Sequence, residues 1–217
     1  MKRAVITGAT GVVGTALINE LIKNDAEVLV LCREGSMRNM QIPVHPLVEV
    51  KHCSLNQLSG LKNDTGKVYD VFYHFAWDGT VGEARNDMFL QNLNVKYTLD
   101  AVEAAKRFGC GRFVGAGSQA EYGRFKGKLK PDTPTFPEIG YGIAKLCAGQ
   151  MARIRSRQLE MQYNWVRILS VYGPNDGHQS LVMTALDQLL ANRVPKFTRG
   201  EQMWDYLYSG DAARAFY

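Results

Sequence analysis

Tyr141 and Lys145 stand four residues apart, and on a helix positions i and i+4 share a face. A free phenol has a pKa near ~10, too high for efficient proton transfer at neutral pH. A neighbouring ammonium favours the phenolate, so such a pair can act as a tuned proton donor and acceptor. The spacing by itself is common, and a surface pair has the same form. Ser118 adds to it. It closes the run Gly115-Ala116-Gly117-Ser118, where a hydroxyl could bond a substrate oxygen beside the phenol and small neighbours leave room. Asn94 lies in a long helical pattern upstream. An amide there either braces the backbone, carries a water toward Lys145, or is simply an exposed polar position.

A second chemical feature lies at the start of the chain. Thr7-Gly8-Ala9-Thr10-Gly11-Val12-Val13-Gly14 separates an apolar run, Ala4-Val5-Ile6, from a helical pattern of Ala16, Leu17, Leu21 and Ile22. Glycines between a strand and a helix permit a sharp turn and let backbone N–H groups approach a pyrophosphate. The helix start adds the positive end of its dipole. The spacing is G-x-x-G-x-x-G rather than G-x-G-x-x-G, and ordinary turn chemistry remains the alternative. In dinucleotide folds an acidic residue after the second strand binds the ribose 2′-hydroxyl of NAD, whereas an arginine accommodates the 2′-phosphate of NADP. Here that place is Leu31-Cys32-Arg33, with no carboxylate before Glu34 and with Arg38 close behind. A planar guanidinium suits a phosphate dianion, so NADP is expected over NAD, with NAD possible.

Both features need elements to position them. Apolar runs alternate with helical patterns: strands at Ala4–Ile6, Val28–Leu31, Val48–Val50, Val71–Ala76, Arg112–Ala116 and Trp165–Leu169. One helix carries Leu93, Leu99, Val102 and Ala105 on a common face, and another runs from about Tyr141 to Arg157. This alternation predicts an α/β fold with a doubly wound parallel sheet, its strands buried on both faces. The glycine turn, Ser118 and Leu169-Ser170 all fall at carboxyl ends of strands, where ligands bind in such sheets. A boundary is expected near Gly173-Pro174. Beyond it, Leu181, Met183, Leu186, Leu189 and Leu190 predict a helix outside the sheet core.

The chain has 217 residues, 46% of them hydrophobic and 22% charged, with a formal charge of +5. This suits one large domain and mildly favours an anionic ligand. Lys and Arg are dispersed, so no nucleic acid is expected as a partner. No apolar run is long enough to span a bilayer, so no membrane contact is expected either. Cys32, Cys53, Cys110 and Cys147 show no metal-type or redox pairing, and no metal site is expected. They read as buried thiols, and a reducing cytoplasm is the expected location.

Taken together, the motifs resemble the extended short-chain dehydrogenase/reductase family acting on nucleotide-linked sugars. The matching residues are Thr7 to Gly14, His74-Phe75-Ala76, Asn94-Val95, Ser118 with Tyr122-Gly123, Tyr141-Gly142-Ile143-Ala144-Lys145, Arg167 with Val171-Tyr172-Gly173-Pro174, and Asp205-Tyr206-Leu207-Tyr208. The resemblance implies a Rossmann-type domain over residues 1–172 and about 203–217. Residues of about 173–202 would begin a small substrate-binding subdomain that is incomplete here. It implies Tyr141 as acid/base, Lys145 as its electrostatic partner and a ribose ligand, Ser118 as the polarising hydroxyl, and Asn94 as a fourth catalytic-site residue. The cofactor would touch Gly8, Thr10, Gly11, Val12, Val13, Gly14, Arg33, Ser54, Leu55, Phe75, Ala76, Trp77 and Leu169, besides Asn94, Tyr141 and Lys145. A nucleotide-sugar substrate and a homodimer through the helices of Asn94 and Tyr141 follow from the same resemblance.

The departures matter as much. Members that remove water carry an Asp-Glu pair after the serine, but this chain has Gln119 and Ala120, neither able to transfer protons. Glu121 is displaced by one and, on an extended segment, would face the other way. Ser170 stands where Asn is frequent, Trp204 where Arg is frequent, and Ser54 where Asp is frequent near the adenine. Gln119, Ser170 and Trp204 are the expected substrate contacts. The leading expectation is an NADP-dependent reductase of a keto-sugar nucleotide. The alternatives are an NAD-dependent 4-epimerase and a cofactor-binding module without turnover.

Overall fold

The computed structural model describes residues 1–217. Six strands form one parallel sheet: β1 (Arg3–Thr7), β2 (Glu27–Cys32), β3 (Val48–His52), β4 (Val71–His74), β5 (Arg112–Ser118) and β6 (Gln162–Ile168). Their order is β3-β2-β1-β4-β5-β6. This is the doubly wound Rossmann arrangement, which reverses direction beside β1. α1 (Val12–Lys23) covers one face, and α2 (Met88–Arg107) and α3 (Gly140–Gln158) cover the other.

The sequence explains the layers. β1, β2, β4 and β5 are almost wholly buried, as continuous apolar strands inside a parallel sheet must be. Ile6, Val30 and Tyr73 pack under Leu17, Ile18 and Leu21 of α1. Phe72 and Phe113 pack under Ala101, Ala105 and Phe108 on the other face. β6 departs from the expected burial. It is one edge of the sheet, its residues alternate between partly buried and exposed, and it starts at Gln162, earlier than its apolar run; β3, at the other edge, is likewise only partly buried or exposed. β4 ends at His74, so Phe75 and Ala76 leave the sheet. The predicted face of α2 is also corrected. Leu93 is 43% exposed, while Gln91, Asn94 and Thr98 are buried. Gln91 and Asn94 take inner positions because the loop after β4 offers them backbone partners, and Thr98 bonds the Asn94 carbonyl within the helix. Cys147 is exposed, unlike the other three thiols, because it lies on the outer face of α3.

After β6, a short strand β7 (Ser170–Tyr172) pairs in parallel with β8 (Tyr206–Tyr208). Between them lies α4 (Leu181–Leu190), outside the six-stranded sheet. α5 (Ser209–Phe216) returns to the main body, where the Tyr73 hydroxyl donates to the Phe216 carbonyl at 2.9 Å and Ala213 joins the core beside α1. No helix is long and apolar enough to cross a membrane.

Candidate active site

Strand register brings the chemical residues to one edge. Thr7 pairs with Leu31 and His74, and Ser118 pairs with Ile168. The glycine turn therefore leaves β1 at the carboxyl end of the sheet. Gly8 has φ of 74°, and a Cβ there would lie 2.5 Å from the Ala76 nitrogen. A Cβ on Gly14 would lie 2.3 Å from the Gly8 carbonyl oxygen. The turn thus packs against the loop after β4 and the first turn of α1 through backbone alone. α1 starts at N-cap Gly11 with no side-chain cap and no acid in its first turn. Its leading N–H groups and dipole suit an anion.

A cavity of about 630 Å³ opens along this turn. Gly8, Thr10, Gly11, Val12, Arg33, Ser54, Leu55, Phe75, Ala76 and Trp77 line it. Arg38 lines it too, and its Nη2 donates to the Thr10 carbonyl at 3.0 Å, tying the end of β2 to the glycine turn. Asn39 holds the Arg33 carbonyl at 2.8 Å. Glu34 is not among the lining residues; Arg33 and Arg38 are, and the acids that line the cavity are Asp78, after β4, and Asp176, after β7.

A second cavity of about 250 Å³ continues past Gly8, Gly11, Val12, Phe75 and Trp77. Val13, Gly14, Ser118, Tyr141, Lys145 and Leu169 complete its lining. Lys145 is 3% exposed; its Nζ donates to the Ala116 carbonyl at 2.6 Å and sits 3.8 Å from the Trp77 ring centre. Burial pushes its pKa down to about 7, against a smaller upward pull from Glu121. Tyr141 meets the edge of Trp77 with ring centres 6.0 Å apart, and the Arg85 guanidinium lies 4.9 Å from its own ring centre. The phenol is not lowered as its sequence neighbour suggested. Burial raises its pKa, and a hydrogen bond with Ser118 and the charge of Arg85 only partly offset this. Removal from water outweighs an ammonium whose own proton is aimed at a backbone carbonyl.

The loop between the cavities is held from α2. Asn94 accepts from the Asp78 N–H and donates to the Asp78 carbonyl, both at 2.9 Å. Its amide therefore spans the loop backbone. Gln91, which the sequence reading passed over, accepts from Trp77 Nε1 at 2.8 Å and donates to the Gly79 and Ala84 carbonyls. A polar residue three positions before Asn94, on the same helix face, was the available signal. His74 joins this support: its ring bonds Thr7 at 2.9 Å, and burial holds its pKa near about 3, so it stays neutral.

Gln119, Ser170 and Trp204 line neither of these cavities. Gln119 and Ala120 lie in a 3₁₀ turn after Ser118, not on an extended segment. Glu121 ends that turn and is fully buried against Arg167 at 2.8 Å. It faces away from the cavity because the turn, rather than strand alternation, directs it.

A Rossmann sheet with an uncapped glycine turn at one end of a cleft and a serine–tyrosine–lysine set at the other defines an enzyme of the extended short-chain dehydrogenase/reductase class. The model of the NAD dependent epimerase/dehydratase family matches residues 4–217, and the chain belongs to that family. It is 25% identical to a putative UDP-glucose 4-epimerase of Methanocaldococcus jannaschii, over 97% of this chain and 71% of that protein. It is 24% identical to the dTDP-6-deoxy-L-talose 4-dehydrogenase (NAD(+)) of Aggregatibacter actinomycetemcomitans, over 94% of this chain and 74% of that one. Its fold is similar to UDP-glucuronic acid 4-epimerase from Bacillus cereus, solved with UDP-glucuronic acid and NAD. The TM-score is 0.81 at 22% identity, covering 99% of this chain and 71% of the other.

Proposed function

We propose that this chain is the nucleotide-binding and catalytic part of a nucleotide-sugar 4-epimerase. The observation that carries the reading is the convergence of Ser118, Tyr141 and Lys145 on one cavity continuous with the cleft along the glycine turn. The turn fits a dinucleotide because its glycines admit no Cβ and the α1 amides are uncapped. When bound, a nicotinamide dinucleotide supplies reversible two-electron chemistry at the sugar carbon. Tyr141 takes the sugar hydroxyl proton and later returns it. Ser118 donates a hydrogen bond to the same oxygen. Lys145, protonated, supports the phenolate, and Trp77 and Leu169 exclude water. Asn94 and Gln91 hold the Trp77 loop against the ring. Gln119 and Ala120 leave no carboxylate to drive loss of water, which argues against dehydration. The NAD-bound 4-epimerases of similar fold support the epimerase cycle. Residues 173–202 are assigned to the start of a substrate-binding unit that would place Ser170 and Trp204 near the sugar nucleotide.

Arg33 and Arg38, which line the cleft where Glu34 does not, favour a second reading: an NADP-dependent reductase of keto-sugar nucleotides. Thermal stabilisation by NAD, NADH, NADP and NADPH, measured side by side, separates the two. A dinucleotide at one hundred times its Kd adds about 2.7 kcal/mol. Preference for NAD(H), with interconversion of 4-epimeric sugar nucleotides and no net cofactor use, is the expected result. Preference for NADPH and its stoichiometric oxidation by a 4-keto-sugar nucleotide would replace the epimerase by the reductase. No stabilisation by any of the four would remove both.

The outer faces of α2 and α3 carry a further proposal. Phe89 and Leu93, and Ile143, Met151 and Ile154, are exposed at helical spacing on these adjacent helices. We assign this apolar surface to a homodimer contact. Leu93→Glu is expected to convert a dimer to a monomer in sedimentation or light scattering, with the fold retained. A wild-type monomer at high concentration would remove the assignment.

A further inference from the structure

Among the residues of this chain, Glu121 is the one buried carboxylate and Lys145 the one buried cation. Both lie behind the same serine. One Glu121 oxygen accepts from the Ser118 N–H at 2.8 Å and from the Trp165 indole N–H at 2.9 Å. The other accepts from Arg167 Nε at 2.8 Å. Ser118 Oγ in turn accepts from the Ala120 N–H at 3.2 Å. The carboxylate therefore closes the turn that aims Ser118 into the reaction cavity. The surroundings are built to admit this bridge. A Cβ on Gly117 would lie 2.6 Å from the Glu121 oxygen, and one on Gly149 would lie 2.7 Å from the Trp165 ring. Glu121 lines neither of the two cavities along the cleft; it borders a third, of about 650 Å³, together with Trp165 and Arg167.

We propose that Glu121 is a positioning residue: it fixes the Ser118 turn and supplies the buried negative charge against which Lys145 keeps its proton. The reading rests on the acid/base roles of Tyr141 and Lys145 proposed above. A buried ammonium loses its proton readily unless an opposite charge stands near it. The groups around Lys145 leave one source of that charge. On α3, Tyr141 is neutral with its phenol raised by burial, and on β4 His74 is neutral. Arg85, stacked on Tyr141, and Arg167, on β6, are both cations and act in the opposite sense. Glu121, in the turn after β5, is the one carboxylate joined to Lys145 by contact: the Trp165 ring centre lies 5.8 Å from Lys145 Nζ and its indole N–H bonds Glu121 at 2.9 Å, so the carboxylate is the charge that acts to hold Lys145 up.

The test is Glu121→Gln, which retains an oxygen for Ser118 and Trp165 and removes the charge. Competitive labelling of Lys145 with acetic anhydride across a pH series, read by mass spectrometry, reports its proton without substrate or cofactor. The midpoint is expected to fall by about 1 pH unit in Glu121→Gln, because the attraction is gone and Arg167 is uncompensated. An unchanged or higher midpoint in the folded variant overturns the proposal. Should Glu121→Gln fail to fold, the double variant Glu121→Gln/Arg167→Gln decides. It removes both partners, so no buried charge is left unpaired, the attraction on Lys145 is lost and the midpoint is again expected to fall; an unchanged or higher value overturns the proposal. A lowered midpoint together with no epimerase or reductase turnover would retain the role of Glu121 and reject the functional reading. Turnover with an unmoved midpoint would do the reverse.

Discussion

Tyr141→Phe is expected to lower turnover by about 10²- to 10⁴-fold, the range associated with loss of a positioned proton-transfer group. The substitution removes one oxygen and little else. The ring keeps its edge contact with Trp77 and its stacking under Arg85, so the cavity retains its shape. Dinucleotide binding therefore stays within a fewfold of the wild-type value. The measurement is single-turnover kinetics beside thermal stabilisation by the preferred dinucleotide. Reduced turnover with intact cofactor binding supports Tyr141 as the acid/base. Undiminished turnover would reassign the chemistry to another group. The same comparison addresses the remaining alternative, a binding module without turnover, which has no use for the phenolic oxygen.

Gly8→Ala has the second large effect. The position combines a φ of 74° with a Cβ site 2.5 Å from the Ala76 nitrogen and 2.6 Å from the Phe75 carbonyl carbon. The first adds about 1–3 kcal/mol for a non-glycine residue and the second about 1–3 kcal/mol for overpacking against backbone. Together they correspond to a Tm lower by roughly 5–20 °C in a chain of this size. The displaced loop also carries Ala76 and Trp77 out of line with the cleft, so stabilisation by dinucleotide should disappear. Gly35→Ala is the control. Gly35 has a φ of 68°, but nothing lies within 4 Å of its Cβ site. It carries the conformational penalty alone and should retain cofactor binding. Equal losses in the two variants would show that the close approach at Gly8 contributes nothing.

How far the site could be read in advance varied with the kind of residue. The glycine turn and the Tyr141–Lys145 spacing were legible because each encodes its geometry locally: a strand-to-helix turn, and one face of one helix. The inner strands were legible because burial on both faces leaves continuous apolar runs. β6 was read as another inner strand because Trp165, Val166, Ile168 and Leu169 are apolar. An edge position depends on what lies beside a strand, and composition does not report that. The buried face of α2 escapes composition for a related reason. Leu93 looked internal, whereas Gln91 and Asn94 are inside because loop backbone groups there require partners. Strand alternation predicts the wrong side for Glu121, because a 3₁₀ turn sets its direction.

The amino-acid order by itself determined the Rossmann class and the place of the glycine turn, since short-range spacing and hydrophobic period suffice for these, and it marked Ser118, Tyr141 and Lys145 as candidates through their joint resemblance to one family. Tertiary structure alone decided the protonation of the site and its support. Desolvation moves Tyr141 and Lys145 in opposite directions, and the charge near Lys145 comes from a turn 24 residues earlier held by an arginine on the edge strand. Electrostatic strength depends on distance and on exclusion of water, and both are created when β5, β6 and α3 pack together.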